Sequence, residues 1–326
     1  MLVALLILIA GFAILIKGAD FLVGGASSLA KNHGISNLAI GLTVVAFGTS
    51  MPELVVSLIS ALSGRNDASF GNVIGSNNFN LLLILGLSGM ITPLVVQRNT
   101  VRFEVPLSLG AAIILYVMVN DGGVTLESTG APGMLDRGDS LILLVLFAAF
   151  LIYIYRTMHD GASLEEVQSI PIYTTPKSIF FIIIGLIMLV GGGKLVVDNA
   201  VFIAHEFGLS EKLIGLTILA AGTSLPELAT SLIAAYRKNA DIAIGNVVGS
   251  NIFNILLILG VTGTIQPIGY NPLLNVDLQV LMGGTVLLIV FMFTLNTRRL
   301  DRWEAFLLAA SYVAYTVYLI ANDSGA

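Results

Sequence analysis

Two short segments place a glutamate beside a proline, a glycine and two hydroxyl residues within otherwise apolar sequence. They read GTSMPEL at 48–54 and GTSLPEL at 222–228, and their carboxylates belong to Glu53 and Glu227. A proline removes a backbone donor and clashes with the preceding turn, so it breaks or kinks a helix. We therefore expect each segment to be a broken helix that carries one carboxylate. The residues expected to break the helices are Gly48, Pro52, Gly222 and Pro226.

Each break should free carbonyl groups, here near 46–47 and 220–221, with hydroxyl groups beside them. In a membrane such carbonyls are tolerated only where they line a cavity or bind a ligand. A charge at the bilayer centre costs about 2.5–3.5 kcal/mol, and these helices contain no lysine or arginine at the same depth as the glutamates. Protons or a bound cation should therefore compensate the carboxylates. The hydroxyl residues are Thr49, Ser50, Thr223 and Ser224.

A second pair of segments reads GNVIGSNNFN at 71–80 and GNVVGSNIFN at 245–254. In each, a serine and the asparagine four residues later share one helix face. Carboxylates, hydroxyls, amides and carbonyls are hard oxygen donors that suit Ca²⁺ and Na⁺. The residues with this spacing are Ser76, Asn80, Ser250 and Asn254. Of the other asparagines, Asn72 and Asn246 are interpreted as helix-start or packing residues, and Asn77 and Asn251 either bind a ligand or pack between helices.

The composition is that of a polytopic membrane protein. Of the 326 residues 56% are hydrophobic and 11% charged, with a mean hydropathy of +0.94, whereas soluble domains carry roughly 25% charged residues. The net charge of −5 argues against a nucleic-acid partner. Cysteine is absent, which excludes thiolate metal sites. Neither GxxxxGK[ST] nor HExxH occurs, so the sequence indicates neither an ATP-driven pump nor an enzyme.

Ten apolar segments approach the length of about 20 residues that a membrane-spanning helix needs. They divide into two halves of five, 1–155 and 178–326, joined by a polar linker at 156–177. The spans lie near 2–23, 37–63, 70–91, 104–120, 138–156, 178–197, 211–236, 241–265, 278–295 and 303–321.

The two halves are copies of one another. A shift of 174 residues places 34–93 on 208–267 without a gap, with 34 identities in 60 positions. The repeated motifs cover 41–86 and 215–260. Because each half has an odd number of spans, the second enters the membrane from the opposite side. We therefore predict an all-α fold of two inverted five-helix repeats, with broken helices and a binding site at the midplane.

The distribution of basic residues predicts the orientation. If loops alternate sides, most lysines and arginines fall on one side, which should be cytoplasmic. The linker at 156–177 then lies inside the cell, and both termini lie outside. We expect a multi-pass protein of the cell membrane.

Taken as pairs, the GTS-x-PEL and GNV-x-GSN-x-FN segments resemble the α-repeats of the Ca²⁺/cation antiporter superfamily, in its sodium/calcium exchanger branch. The resemblance covers most of the chain and suggests a prokaryotic member. It implies a central Ca²⁺ site that shares both glutamates, surrounded by Na⁺ sites. The implied pocket consists of Ala46, Thr49, Ser50, Glu53, Ser76, Asn80, Ala220, Thr223, Ser224, Glu227, Ser250 and Asn254.

The same resemblance implies exchange of Ca²⁺ for Na⁺ by alternating access, in which the first and sixth helices slide over a fixed core. Glycines at 11, 18, 185 and 191–193 are compatible with that sliding. It implies no cofactor and no obligate protein partner, only inorganic cations and the lipid bilayer.

Three alternatives remain at this stage. Some relatives, including potassium-dependent exchangers, carry aspartate where this chain has Asn254, so a K⁺ requirement is disfavoured. Proton-coupled calcium exchangers usually carry a different motif around the glutamate, but two buried carboxylates could also bind protons. A cation channel would use similar oxygen donors and should conduct without counterflow.

Overall fold

The computed structural model describes residues 1–120, 133–159, 172–207, 220–294 and 298–322. Within these ranges the chain is helical apart from short strands and connecting turns. In chain order the helices are α1 (Leu2–His33), α2 (Asn37–Thr49), α3 (Met51–Leu62), α4 (Asn66–Ile91), α5 (Thr100–Asn120), α6 (Arg137–Thr157), α7 (Thr175–Glu206), α8 (Ala220–Gly222), α9 (Leu225–Tyr236), α10 (Ala240–Ile265), α11 (Pro272–Phe291) and α12 (Arg302–Asn322).

Eight of the described helices are long and apolar enough to cross a membrane, and the bent pair of α2 and α3 makes a ninth candidate. The all-helical class is confirmed. The predicted span at 211–236 falls partly on 208–219, which lie outside the described residues, and its remainder forms α8 and α9.

Helices α1 and α7 are longer than the predicted spans 2–23 and 178–197. Each has 32 residues, ending at His33 and Glu206. Small residues after position 23 stay helical because they pack against α7. A methyl group added at Gly25, for example, would come within 2.7 Å of the Ser178 carbonyl oxygen. Helix α1 stops where Gly34 takes a left-handed conformation with φ 63°, which ends a helix at least cost in glycine.

Polar side chains fix where several helices begin. Ser36 Oγ accepts a hydrogen bond from Ala39 N (3.1 Å) at the start of α2. Asp136 and Asp139 form a capping box at the start of α6. These caps satisfy backbone donors that would otherwise be unpaired at a helix start.

Four of the described helices contain π-helical turns, which the sequence analysis did not predict. They lie at Gly41–Val45, Phe79–Ile84, Thr100–Glu104 and Phe253–Leu259. Such turns often mark functional sites. The second and fourth contain Asn80 and Asn254, so both expected ligand asparagines lie in widened turns.

In the part of the chain that the structure describes, two small antiparallel sheets join loops of the two halves. Strand β1 (Leu94–Val95) pairs with β4 (Arg299–Leu300), and β2 (Met134–Leu135) pairs with β3 (Ile268–Gly269). In register, Leu94 lies opposite Leu300, and Met134 opposite Gly269. Each sheet therefore ties a segment of the first half to one of the second.

Helices α4 and α10 form the centre of the molecule. The apolar windows of α4 and α10 are 72% and 94% buried, against 28% for α1 and 33% for α7. The two GSN-x-FN segments thus occupy the best protected helices, while α1 and α7 lie at the periphery, packed against each other.

Candidate cation-binding site

The two GTS-x-PEL segments adopt the same broken conformation. Ser50 separates α2 from α3 with φ −83° and ψ 5°, and Ser224 precedes α9 with φ −88° and ψ 7°. Pro52 and Pro226 then occupy the first turn of the following helix, where a missing N–H costs little. The axes of α2 and α3 differ by 45°. The helix is thus interrupted just before each of the two prolines.

The glycines before the breaks have a second role in packing. A methyl group added at Gly48 would come within 2.5 Å of Leu186 Cδ2, and one at Gly222 within 2.7 Å of Val197 Cγ2. Leu186 and Val197 both belong to α7. The glycines therefore allow α7 to pass close to both helix breaks.

Glu53 and Glu227 are held by serines of the opposite repeat. Both glutamates are fully buried. Ser224 Oγ donates to Glu53 Oε1 at 3.1 Å, and Ser50 Oγ donates to Glu227 Oε1 at 3.0 Å. The second oxygen of each carboxylate, Oε2, has no hydrogen-bond partner among the described residues. The two halves thus complete each other, and each carboxylate keeps one oxygen for a ligand.

Asn72 and Asn246 form a second crossed arrangement behind the carboxylates. Asn72 Nδ2 donates to the backbone carbonyl of its own half's glutamate, Glu53 (3.2 Å), and its Oδ1 accepts from Thr223 Oγ1 (3.2 Å). In the other half, Asn246 Nδ2 donates to the Glu227 backbone carbonyl (3.3 Å), and Thr49 Oγ1 lies 3.1 Å from Asn246 Oδ1. Both asparagines lie within α4 and α10 rather than at their starts, so their role is packing through hydrogen bonds.

Asn77 and Asn251 join the two central helices directly. Asn77 Nδ2 donates to the Asn251 carbonyl (3.3 Å), and Asn251 Nδ2 donates to the Asn77 carbonyl (3.2 Å). Asn251 Oδ1 accepts from Asn80 Nδ2 (3.2 Å), and Asn77 Oδ1 accepts from Asn254 Nδ2 (2.9 Å). Because the amide nitrogens of Asn80 and Asn254 are used in this way, their Oδ1 atoms remain without a partner in the described part of the chain. Asn77 and Asn251 therefore act as packing residues that orient the two expected ligands.

The two serines of the GSN segments are not equivalent. Ser250 Oγ donates to Glu227 Oε1 at 3.5 Å, a long hydrogen bond. Ser76 Oγ is buried and has no partner among the residues described. The sequence repeat alone predicts identical surroundings for Ser76 and Ser250.

The helix break was expected to leave the Ala46 carbonyl without a hydrogen-bond donor, but this carbonyl keeps one. It accepts a hydrogen bond from Ser50 N at 3.0 Å. The carbonyl that loses its usual donor is that of Gly48, because it precedes Pro52 by four residues. Thr49 Oγ1 also lies 3.3 Å from Ala46 O. On the other side Ala220 begins α8, so both alanines stand at the ends of helices that flank the site.

Ser57 and Ser231 were missed by sequence reasoning. They accept hydrogen bonds from Asn72 Nδ2 and Asn246 Nδ2, both at 2.9 Å, and so hold those asparagines against the glutamates. A signal was available, since Ser57 and Ser231 are identical positions of the repeat. They lie one helical turn after the glutamates and outside the GTS-x-PEL segments, which end at residues 54 and 228.

The combined geometry suits a hard cation. Two carboxylate oxygens, two amide oxygens and the Ser76 hydroxyl are buried without a hydrogen-bond partner in the described part of the chain, and oxygens of these kinds suit Ca²⁺ and Na⁺. None of the ion pairs between described residues, such as those of Asp20 and Asp301, involves Glu53 or Glu227. A buried carboxylate without a cationic partner is costly. Binding of cations would remove that cost.

Fold and site together define an all-helical membrane protein with a buried carboxylate pair shared by two sequence repeats. The chain belongs to the sodium/calcium exchanger protein family, which matches residues 3–156 and 177–321. It is 39% identical to CaxA of Alkalimonas amylolytica over 99% of this chain and 100% of that protein. It is 30% identical to the sodium/calcium exchanger MaX1 of Methanosarcina acetivorans over 96% of this chain and 97% of that one.

The solved structure of the sodium-calcium exchanger NCX_Mj has the same fold. It matches with a TM-score of 0.81 and 33% identity, covering 98% of this chain and 99% of that chain. The resemblance stated from the motifs is therefore confirmed at the level of the family. The family also confirms the assignment as a membrane antiporter of the calcium and sodium transport class.

Proposed function

We propose that this protein exchanges Ca²⁺ for Na⁺ across the membrane, and that Glu53 and Glu227 hold both ions in turn. The observation that carries the proposal is the crossed carboxylate pair. Each glutamate is fully buried, is hydrogen-bonded by a serine of the other repeat, and keeps one oxygen without a donor in the described structure. MaX1 and NCX_Mj, which are named sodium/calcium exchangers, support the choice of ions.

The charge of the site explains why the two ions would compete. Two carboxylates neutralise one Ca²⁺ or two Na⁺, so a load of either kind removes most of the cost of burying the charges. A site that holds both loads at once would be strongly positive. Alternate occupancy therefore follows from charge balance, and alternate occupancy is what exchange requires.

The remaining ligands in the proposal are neutral oxygens around the carboxylates. Asn80 Oδ1, Asn254 Oδ1 and Ser76 Oγ have no donors among the described residues and complete the Ca²⁺ shell or adjoining Na⁺ shells. The other proposed ligands are Ala46, Thr49, Ser50, Ala220, Thr223, Ser224 and Ser250.

Transport needs a path to a site that is closed in this conformation. The carboxylates are fully buried, and α7 lies over both helix breaks through its contacts with Gly48 and Gly222. A displacement of α7 together with α1 would open the site. The close contact of the two helices at Gly18 and Gly185 favours movement as a pair, because a methyl group at Gly185 would come within 2.8 Å of the Gly18 carbonyl oxygen.

The topology belongs to the same proposal. We place ten spans in two inverted halves, 1–155 and 178–326, with the linker 156–177 in the cytoplasm. Both termini then lie outside the cell membrane. The crossed hydrogen bonds between repeats and the crossed strand pairs support two related halves. Cysteine substitutions near each terminus and in the linker, labelled with a membrane-impermeant thiol reagent in whole cells, test this arrangement.

The deciding experiment is ⁴⁵Ca²⁺ uptake into proteoliposomes with imposed ion gradients. Vesicles loaded with Na⁺ should take up Ca²⁺, and vesicles loaded with K⁺ or with an outward proton gradient alone should not. Glu53→Gln and Glu227→Gln should each abolish uptake, because glutamine keeps the shape but removes the charge. Glu304→Gln is the matched control. Glu304 is also fully buried, yet both of its oxygens accept hydrogen bonds, from Thr294 Oγ1 and Asp301 N.

The rival functions give different outcomes in the same assay. Proton coupling predicts uptake driven by a pH gradient without Na⁺, and a K⁺-involving exchanger predicts uptake that needs K⁺. A channel predicts Ca²⁺ flux in the absence of any counter-ion. Full uptake by either glutamine variant would overturn the assignment of the glutamates.

A further inference from the structure

A second buried carboxylate, away from the glutamate pair, borders a polar cavity. Glu104 lies in the π-helical first turn of α5 and is 2% exposed. Its Oε1 accepts a hydrogen bond from Tyr153 OH at 2.6 Å, whereas Oε2 has no partner among the described residues. Glu104 is not a ligand of the proposed exchange site, so that site does not explain why this carboxylate is buried.

The cavity beside Glu104 is lined by further oxygen donors. The cavity is small, with about 10 Å³ available to the centre of a water-sized sphere, and its polar wall consists of Ser36, Gln97, Asn99, Glu104 and Thr157. Gln97 Nε2 donates to Asp241 Oδ2 (2.6 Å), which leaves the amide oxygen of Gln97 as its possible ligand atom. Thr157 Oγ1 donates to the Tyr153 carbonyl (3.0 Å), which leaves the lone pairs of its hydroxyl available. Gln97 and Asn99 are half-buried, so the cavity has access from outside the protein.

From this arrangement we infer an auxiliary binding site for a monovalent alkali cation such as Na⁺, with Glu104 Oε2 as its charged ligand. One carboxylate with neutral hydroxyl and amide oxygens balances a single positive charge. Ca²⁺ sites of useful affinity generally need more carboxylates, because ligand charge sets their affinity. A single carboxylate therefore favours the monovalent ion.

The cavity is in direct contact with α2, the helix that carries Thr49. Leu38, Ala39 and Leu42 of α2 form the apolar wall of the cavity. The same helix ends at the break next to Ser50. The cavity lies beside the start of α5, with Arg98 just before that helix and Arg102 in its first turn, on the side predicted to be cytoplasmic.

The test uses a protein in which both carboxylates of the exchange site have been replaced, so that ion binding at the proposed second site is measured separately. The purified Glu53→Gln/Glu227→Gln double variant is unfolded by heat in NaCl or in N-methyl-D-glucamine chloride at equal ionic strength, with a CaCl₂ series alongside. We expect a saturable rise in unfolding temperature with Na⁺. Adding Glu104→Gln should abolish the rise, and adding Glu304→Gln should preserve it. Because no transport is measured, the result is independent of the proposed exchange.

Asn99→Ala provides a second variant, at a half-buried residue of the cavity wall. It should shift the Na⁺ midpoint several-fold upward, and ²³Na relaxation measured on the same samples should show the same order of affinities. The inference is overturned by a double variant that unfolds alike in both salts, by a Na⁺ effect that survives Glu104→Gln, or by a midpoint that Asn99→Ala leaves unchanged. If CaCl₂ raises the unfolding temperature more than NaCl does at an equal concentration of cationic charge, the assignment to a monovalent ion is overturned.

Discussion

Ser224 donates a hydrogen bond to Glu53 across the boundary between the two repeats, with 3.1 Å between Oγ and Oε1. The reverse pair, Ser50 and Glu227, is separated by 3.0 Å. Each repeat thus contributes a carboxylate and the hydroxyl that binds the other repeat's carboxylate. Neither half can form this arrangement alone.

This crossing predicts the effects of serine substitutions. Ser50→Ala and Ser224→Ala each remove a hydrogen bond to a charged group, worth about 1.5–3 kcal/mol. We expect the apparent affinity for Ca²⁺ or Na⁺ to fall by roughly tenfold or more in ⁴⁵Ca²⁺ uptake. Ser88→Ala is the matched control, because Ser88 is fully buried and its Oγ has no partner in the described structure. Equal effects of all three variants would contradict the assignment.

A second prediction concerns the charge of the pocket. Asn254→Asp adds a carboxylate where the Asn254 amide now donates to Asn77 Oδ1. The added charge should strengthen cation binding or introduce dependence on another ion such as K⁺. Uptake measured over a matrix of Na⁺, K⁺ and Ca²⁺ concentrations shows either change. Asn78→Asp serves as the control, since Asn78 is buried on α4 but donates to the Asp277 carbonyl. Unchanged affinities in Asn254→Asp would indicate that its side chain faces away from the ions.

A third prediction tests the asparagines behind the carboxylates. Asn72→Ala and Asn246→Ala each remove hydrogen bonds to a glutamate carbonyl and to a buried serine. Each unsatisfied buried group costs about 1–3 kcal/mol, so both variants should unfold at lower temperature and transport less. Thermal unfolding in detergent and uptake should change together. Loss of uptake at unchanged stability would instead indicate that the asparagines bind the ions directly.

A fourth prediction concerns the contact between α1 and α7. A methyl group at Gly18 would come within 2.8 Å of Met188 Cβ, and one at Gly185 within 2.8 Å of Leu22 N. Gly18→Ala and Gly185→Ala should therefore overpack the contact, lower stability by about 1–3 kcal/mol, and slow exchange if the two helices move as a pair. Gly191→Ala on the same helix meets nothing within 4 Å and is the control. Normal unfolding temperatures in Gly18→Ala and Gly185→Ala would refute the close packing.

Much of the fold was predictable because it depends on local properties of the chain. Apolar runs of sufficient length located the described spans, and Pro52 with Gly48 located the break, since proline acts on its own turn. The ends of α1 and α7 were placed too early. Small residues such as Gly24 and Ser27 give little apolar signal, and only their burial against neighbouring helices keeps them helical. The π-helical turns at Asn80 and Asn254 could not be predicted, because no local residue pattern marks them.

In the candidate site, too, local sequence predicted the residue types, and tertiary contacts decided the partners. The oxygen-rich set around Glu53 and Glu227 follows from residue type and repetition alone. Sequence reasoning interpreted Asn72 as a helix-start or packing residue and left Asn77 open between two roles. The structure makes Asn72 a support for the glutamate backbone and Asn77 an anchor for Asn254. The first contact joins residues 19 positions apart and the second joins residues 177 positions apart, and no local pattern encodes either of them.

The sequence by itself determined that two carboxylates lie in apolar helices without basic partners, and that they occur in two copies of one motif. Those properties reside in composition and spacing along the chain. Only the tertiary structure decided which groups meet. Ser50 lies three residues from Glu53 in sequence yet binds Glu227, 177 residues away. Packing of the two breaks against each other, rather than distance along the chain, selects the partner.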